Sequence, residues 1–242
     1  MLSKANTKLS KSFGEMSKVV SFGLNVDDTC KSCKIPCYAK KGHYAMKNSN
    51  TYKKRTNNYR YSQMSDFVYR MNYYLEQARP KRGKKNQLVV RIHDSGDFYN
   101  YDYVYKWTEI AEQNKDVYFY AYTKRVDLFV NRYDRLPSNL RIIFSFGGEF
   151  DHLIDTNKHY HCHIFNSEQD LRWAGYDDTS KNDAVAAIGY TRYIGIVFHH
   201  PSKKVREKGF TTYKRKGTTM QGIITEIKKS SFARLVIDGE EI

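Results

Sequence analysis

Residues 87–98, QLVVRIHDSGDF, run from an unbroken apolar stretch straight into a polar loop containing a glycine. A short apolar run closed by such a loop reads as a buried strand. The next fifty residues repeat the pattern. Residues 101–113 (YDYVYKWTEIAEQ) set Val104, Trp107, Ile110 and Ala111 on one helical face. DVYFYAYTKR (116–125) is a second strand, VDLFVNRY (126–133) a short helix, and NLRIIFSFGG (139–148) a third strand that again ends in glycines. Strands alternating with helices over short connections are the mark of parallel βα units, so the expected fold class is α/β, as a partial barrel or an open sheet. In such folds chemistry gathers where the strands end, here at HDSGD, YTKR and FGGE.

Upstream, KVVSFGLNV (18–26) reads as a strand leading into a cysteine loop, with a short helix over 38–48 and then a basic, polar stretch. MSDFVYRMNYYLEQA (64–78) has helical spacing of Phe67, Val68, Met71, Tyr74, Leu75 and Ala78, with Ser65 as N-cap, and is ended by Pro80 and the run PKRGKK. Downstream, 162–170 and 193–201 offer two more strands. Residues 220–242 alternate across a KKSS turn as a β-hairpin. The expectation is one domain over 1–242, with an α/β core at 1–200 and a basic extension at 201–242.

The 242 residues carry a net charge of +15, unevenly spread. Residues 1–86 hold 19 Lys/Arg against 5 Asp/Glu, residues 87–200 hold 12 against 16, and residues 201–242 hold 10 against 5. Basic flanks around a near-neutral middle favour a polyanion, because cations that meet phosphates release condensed counterions. The 21 tyrosines interleave with these cations, most densely in NTYKKRTNNYRYSQ (50–63), a composition suited to stacking unpaired bases. The nucleic-acid candidates are Lys40, Lys41, Lys53, Lys54, Arg55, Arg60, Lys81, Arg82, Lys84 and Lys85. No stretch approaches the ~20 apolar residues of a spanning helix, and the amino terminus lacks the apolar core of a secretory signal. A soluble intracellular protein with no membrane partner is the expectation.

Three of the four cysteines fall within eight residues, in TCKSCKIPCY (29–38). A C-x2-C-x3-C loop lets three thiolates converge on one centre, and Cys30, Cys33 and Cys37 are read as metal ligands. The flanking Lys31, Lys34, Lys40 and Lys41 are expected to lower the thiol pKa values. Cys162, within HYHCH (159–163), is the remaining cysteine and the expected fourth ligand. A triplet plus a distant single suits a 4Fe-4S iron–sulfur cluster; structural zinc, closed by Cys162 or a neighbouring histidine, is the alternative.

The chain resembles the phage gene product 88 domain family. The resemblance is carried by LSKANTKL (2–9), TCKSCKIPCYAK (29–40), RIHDSGDFYNYDYVYKW (91–107), VYFYAYTKR (117–125) and the strand around Arg141–Phe146. It implies a phage or mobile-element context, hence the cytoplasm of a bacterial host. A looser architectural similarity is to radical-SAM-type partial barrels, where a cysteine loop follows the first strand. Their loops run C-x3-C-x2-C, however, and Gly147-Gly148-Glu149 ends a later strand than their glycine–glycine–glutamate motif would.

His93, Asp94 and Asp97, with Ser95, are candidate catalytic residues or supports for the cluster; alternatively Asp94 and Asp97 cap the next helix, with Gly96 supplying the turn. Thr123, Lys124 and Arg125 are weighed as a phosphate contact against solvated loop residues. His199 and His200 read as surface residues, and Trp107 and Trp173 as core. The functional expectation is an iron–sulfur protein that binds nucleic acid through basic, Tyr-rich flanks, with a structural or redox-sensing cluster. The alternatives are a cluster- or metal-dependent enzyme using HDSGD, with Glu149 as a further candidate, radical-SAM-like or nucleic-acid-processing, and an anti-host protein that binds an acidic partner.

Overall fold

Six strands lie parallel and in chain order: β2 (Ser17–Phe22), β3 (Gln87–Ile92), β4 (Val117–Thr123), β5 (Leu140–Ser145), β6 (His161–Phe165) and β8 (Tyr193–Val197). Short strands close the two edges, β1 (Ser3–Lys4) antiparallel to β2 and β7 (Asp177–Asp178) parallel to β8. The computed structural model describes residues 1–4, 11–13, 17–35, 37–80, 87–199 and 208–213. Residues Met1–Thr212 form one compact unit. The hairpin expected at 220–242 lies outside the described residues.

The fold is α/β with an open sheet of eight strands among the described residues. Its strand order explains its two unlike faces. Parallel crossovers are right-handed, so the strands from β2 to β6, added in one direction, send their crossovers to the same face; β8 turns back to lie between β6 and β7, and its crossover goes to the opposite face. The first of these, the outer face, receives α3 (Phe67–Ala78) and α4 (Tyr101–Gln113). Phe67, Met71 and Leu75 of α3 and Tyr103, Val104, Trp107, Ile110 and Ala111 of α4 pack there against Val20, Phe22, Leu88, Val90, Ile92, Phe119, Ala121, Ile142 and Phe144. The alternate residues point inward. Val19, Val89, Tyr120, Ile143, Cys162 and Ile194 form a smaller inner core, covered by Phe13 and by α6 (Ala184–Ile188).

Several local expectations are corrected. The basic stretch 50–63 is a fourteen-residue helix, α2 (Asn50–Gln63), capped by Ser49, whose Oγ accepts from the Tyr52 amide at 3.0 Å. Its inward side chains are polar, so no apolar period announces it. Asn58 Nδ2 donates to Gly23 O at 2.9 Å, Lys54 Nζ donates to Leu2 O at 2.8 Å, and Asn25 Nδ2 donates to Thr56 Oγ1 at 3.2 Å. The helix expected over 38–48 is two 3-10 turns, Tyr38–Lys40 and Gly42–Tyr44. That over 126–133 is likewise two, Val126–Leu128 and Tyr133–Arg135, because glycine or closely spaced polar turns leave too few residues to repay helix nucleation. Asp66, not Ser65, takes the N-cap position of α3.

Trp107 is fully buried as expected. Trp173, at the end of the short helix α5 (Glu168–Trp173), is 60% exposed and is not core. Trp107 meets Phe22, Phe67 and Phe119 edge-on at centroid distances of 5.4, 5.9 and 6.2 Å. Trp107→Ala is therefore expected to cost about 3–5 kcal/mol, read as a lowered midpoint in denaturant unfolding followed by circular dichroism.

Candidate metal centre at the carboxyl edge of the sheet

The cysteine loop lies across the carboxyl ends of β3, β4 and β5, pinned at both of its own ends. Its root, α1 (Val26–Thr29), is capped by Asn25 Oδ1, which accepts from the Asp27 amide at 3.1 Å. HDSGD grips this root. The Leu24 amide donates to Ser95 O at 2.8 Å, Ser95 Oγ returns a bond to Leu24 O at 2.9 Å, and the Asp97 amide donates to Thr29 Oγ1 at 3.2 Å. Gly96 has φ +84°, and a Cβ there would stand 2.6 Å from Leu24 Cβ. Only glycine meets both the backbone angle and the close approach.

Asp97 carries the tie onward to β4. Its buried carboxylate accepts from Thr123 Oγ1 at 2.5 Å and from the amides of Phe98 at 2.7 Å and Lys124 at 2.9 Å. Burial nevertheless pushes its pKa up from the ordinary carboxylate value. Neither Asp94 nor Asp97 caps α4; that position belongs to Asn100, whose Oδ1 accepts from the Tyr103 amide at 2.9 Å. Lys124 is buried rather than solvated, its Nζ donating to Ser145 O, Ser145 Oγ and Phe146 O at 3.1, 2.9 and 2.8 Å. Arg125 pairs with Asp127 at 2.7 Å.

FGGE pins the far end of the loop. Cys33 bridges to Gly148, the Lys34 amide donates to Gly147 O at 2.9 Å, and the Glu149 amide donates to Ser32 O at 3.0 Å. A Cβ on Gly147 would sit 2.3 Å from Ile35 Cγ2, and its φ is +99°. The glycine pair thus gives the cysteine loop its seat. Glu149 itself is exposed.

Cys30, Cys33 and Cys37 are half-buried and feel one another's charge. Cys30 is pushed up to about 12 by burial first, then by Asp97, Cys37 and Cys33. Cys37 is raised chiefly by burial, against the amides of Ala39 and Lys40, which donate to its sulfur. The flanking lysines alone predict lowered thiol pKa values; burial outweighs them, and Lys40 is the weakest influence on Cys37. Cys30 and Cys37 therefore resist deprotonation until a cation supplies the compensating charge. Among the described residues no three His, Cys, Asp or Glu side chains are drawn into metal-binding geometry. The donor set, three sulfurs with amides aimed at one of them, nonetheless fits a thiophilic metal or iron–sulfur centre.

Cys162 belongs to the inner core. Its carbonyl accepts from the Phe146 amide at 2.9 Å, two residues before the Gly148 that pairs with Cys33, and its Sγ lies 3.7 Å from His163 O.

His93 ends β3 with a left-handed backbone, φ 65°. Its Nε2 and the Tyr103 hydroxyl are a hydrogen-bonded pair at 2.9 Å, within a cage of Phe22, Phe98 and Tyr103 rings. Asp94 binds Arg55 Nη2 at 2.7 Å, while Arg55 Nε donates to Ser95 Oγ at 2.5 Å and its guanidinium lies 4.3 Å over the Tyr44 ring. Of the nucleic-acid candidates, Lys54 and Arg55 are therefore committed to the fold. Lys40, Lys41, Lys53 and Arg60 are exposed, and Lys81, Arg82, Lys84 and Lys85 lie outside the described residues. A shallow groove beside α2 is lined by Lys47, Tyr52, Lys53, Thr56, Asn57 and Arg60. His199 is exposed as expected.

A singly wound, mostly parallel α/β sheet with a cysteine loop seated across its carboxyl edge defines the class. The family profile described as gene product 88 matches residues 1–222, and the chain belongs to that family of bacteriophage proteins. A relative, the Gene 88 protein of Mycobacterium phage L5, is 36% identical over 62 residues. Those residues are 26% of each chain, so the match spans about a quarter of that relative's length. No solved structure matches. No described helix is long and apolar enough to cross a membrane.

Gly147→Val is expected to destabilise the protein by about 1–3 kcal/mol and to speed alkylation of Cys33; unchanged labelling would mean that the loop does not depend on this seat. A pH dependence is expected from His93, which burial lowers from 6.5 to about 3. The folded state disfavours its protonation, so its stabilisation is present above pH 6.5 and is lost as pH falls toward 3, amounting to about 2 kcal/mol at pH 5. His93→Asn should flatten the fall in melting temperature between pH 7 and pH 4 relative to the parent.

Proposed function

We propose that this is an iron–sulfur protein of the bacterial host's cytoplasm during infection, binding nucleic acid along the basic surface beside its cluster. Cys30, Cys33 and Cys37 supply three ligands and Cys162 closes a 4Fe-4S centre that is structural or redox-sensing. The reading rests on one observation above the rest: three cysteines close enough for Cys33 and Cys37 to act on Cys30 lie in a loop seated on HDSGD and the Gly147–Gly148 turn. Cys162 lends itself to closure because the Phe146–Gly148 segment touches both its carbonyl and the cysteine loop. When bound, such a cluster supplies a stable covalent cross-link and a one-electron redox couple.

The nucleic-acid part is supported by charge. Between Asp28 and Asp66 the sequence has no acidic residue, while Lys31, Lys34, Lys40, Lys41, Lys47, Lys53 and Arg60 are exposed there. Tyr52 in the groove of α2 gives an aromatic face beside these cations.

Anaerobic purification with iron, sulfide and zinc analysis is the test. The expected outcome is a brown protein with about four irons and four sulfides per chain, whose absorbance near ~400 nm is lost in Cys33→Ser. A colourless protein with stoichiometric zinc would end the iron–sulfur proposal, and full iron in Cys162→Ala would remove Cys162 from the ligand set. Affinity for a short oligonucleotide should fall linearly with salt on logarithmic axes, with a slope reduced by about one unit in Lys53→Gln.

A further inference from the structure

Helix α2 has two unlike sides, and the fold uses only one of them. Lys54, Arg55, Asn58 and Ser62 are committed: they bond to Leu2 O, to Asp94 and Ser95, to Gly23 O and to the Tyr99 hydroxyl. The other side carries the shallow groove lined by Lys47, Tyr52, Lys53, Thr56, Asn57 and Arg60, with a volume of about 330 Å³. That volume is at the small end of ligand sites.

The groove's polar groups are unspent. The side chains of Lys47, Lys53, Asn57 and Arg60 make no hydrogen bond or ion pair with other described residues, whereas Thr56 Oγ1 accepts from Asn25 at 3.2 Å. Surface arginines elsewhere are neutralised, Arg70 by Asp66, Arg79 by Glu76 and Asp116, and Arg172 by Glu168. No acidic residue lies between Asp28 and Asp66 to do this here, and Asp94, which meets α2, is held by Arg55. Tyr52 is only partly buried, and among the described residues its ring meets no other ring or cation.

Spacing makes these side chains one strip. Positions 53, 57 and 60 recur at helical intervals, as do 52 and 56. From Tyr52 to Arg60 the helix rises about 12 Å, the axial rise of about three stacked nucleotides. Lysine and arginine alone do not separate a duplex from a single strand, since both present phosphates. A tyrosine ring does. It gains from the face of a base, and in a duplex those faces are already stacked on their neighbours.

We propose that the groove beside α2 is a subsite for single-stranded nucleic acid: an unpaired base stacks on Tyr52 while Lys47, Lys53 and Arg60 hold the flanking phosphates. This rests on the nucleic-acid reading above and narrows it to strands with unpaired bases; a duplex meets only the cations. Thr56 is bonded to Asn25, the cap of α1, so the subsite is fixed relative to the root of the cysteine loop.

The test uses full-length, anaerobically purified protein and fluorescence anisotropy with labelled probes of about twelve nucleotides. The probes are oligothymidylate, oligouridylate, a strand of the same length without bases, and a mixed-sequence duplex. The parent is expected to bind the tighter of the two based strands about tenfold better than the abasic one, the weight of one stacked base. Whether that strand is the thymidylate or the uridylate tells DNA from RNA. Tyr52→Leu should lose this tenfold on the based strand and leave the abasic strand and the duplex unchanged, which also shows that the variant is folded. Its salt dependence should stay parental, because no charge is removed, whereas Lys53→Gln should flatten the salt dependence on every probe. Tyr52→Phe keeps the ring face and should bind as the parent does. Equal losses on all probes in Tyr52→Leu, or none, overturn the proposal and leave the nucleic-acid reading standing, as does parental binding that ignores the missing bases. Absence of binding to any probe overturns both.

Discussion

The carboxyl edge of this sheet depends on the buried carboxylate of Asp97. One oxygen accepts from Thr123 and the Phe98 amide, the other from the Lys124 amide, while the Asp97 amide itself binds the Thr29 hydroxyl. A single side chain thus ties the end of β3 to the end of β4 and to the root of the cysteine loop. Burying a carboxylate is costly unless its lone pairs are satisfied, and here three donors satisfy them. The residues on either side act with it: Ser95 and Gly96 hold Leu24 and Thr29, and Asp94 holds Arg55 of α2.

The second pin, at Gly147–Gly148, works by absence of side chain. Strand β5 ends in two residues without Cβ, which lets Ile35 and Cys33 come down against its backbone. HDSGD, YTKR and FGGE therefore share one task, that of forming the surface on which the cysteine loop rests. Singly wound topology adds the rest. Because the crossovers stack α3 and α4 on the outer face, the inner face is left to a smaller core and to Arg91, Tyr120, Tyr122 and Asp183.

Much of this fold is legible in the chain. The runs at 87–92, 117–123 and 140–145 are apolar because parallel strands are covered on both faces, and the helical period of 101–113 is sharp because one side faces the sheet. Helix α2 is illegible for the converse reason. It docks through Asn58, Lys54 and Arg55, whose polar inward bonds leave no apolar stripe. Trp173 misleads in the other direction, since tryptophan's usual burial says nothing about a particular short edge helix. The glycine pair at 147–148 is a usable signal, since consecutive glycines at a strand end indicate close backbone approach.

By itself the sequence determined the α/β class, the strand ends at which polar motifs collect and the three cysteines as a unit, because periodicity and spacing are local properties. Only the tertiary structure decided what those motifs touch. It turned Lys124 inward, placed Cys162 in the inner core one strand from the loop's seat, and set burial above nearby lysines in raising the thiol pKa values. It also brought Arg91, Tyr122 and Asp183, 92 positions from first to last, onto one face. Such proximity follows from strand order and crossover hand, which no local stretch of chain encodes.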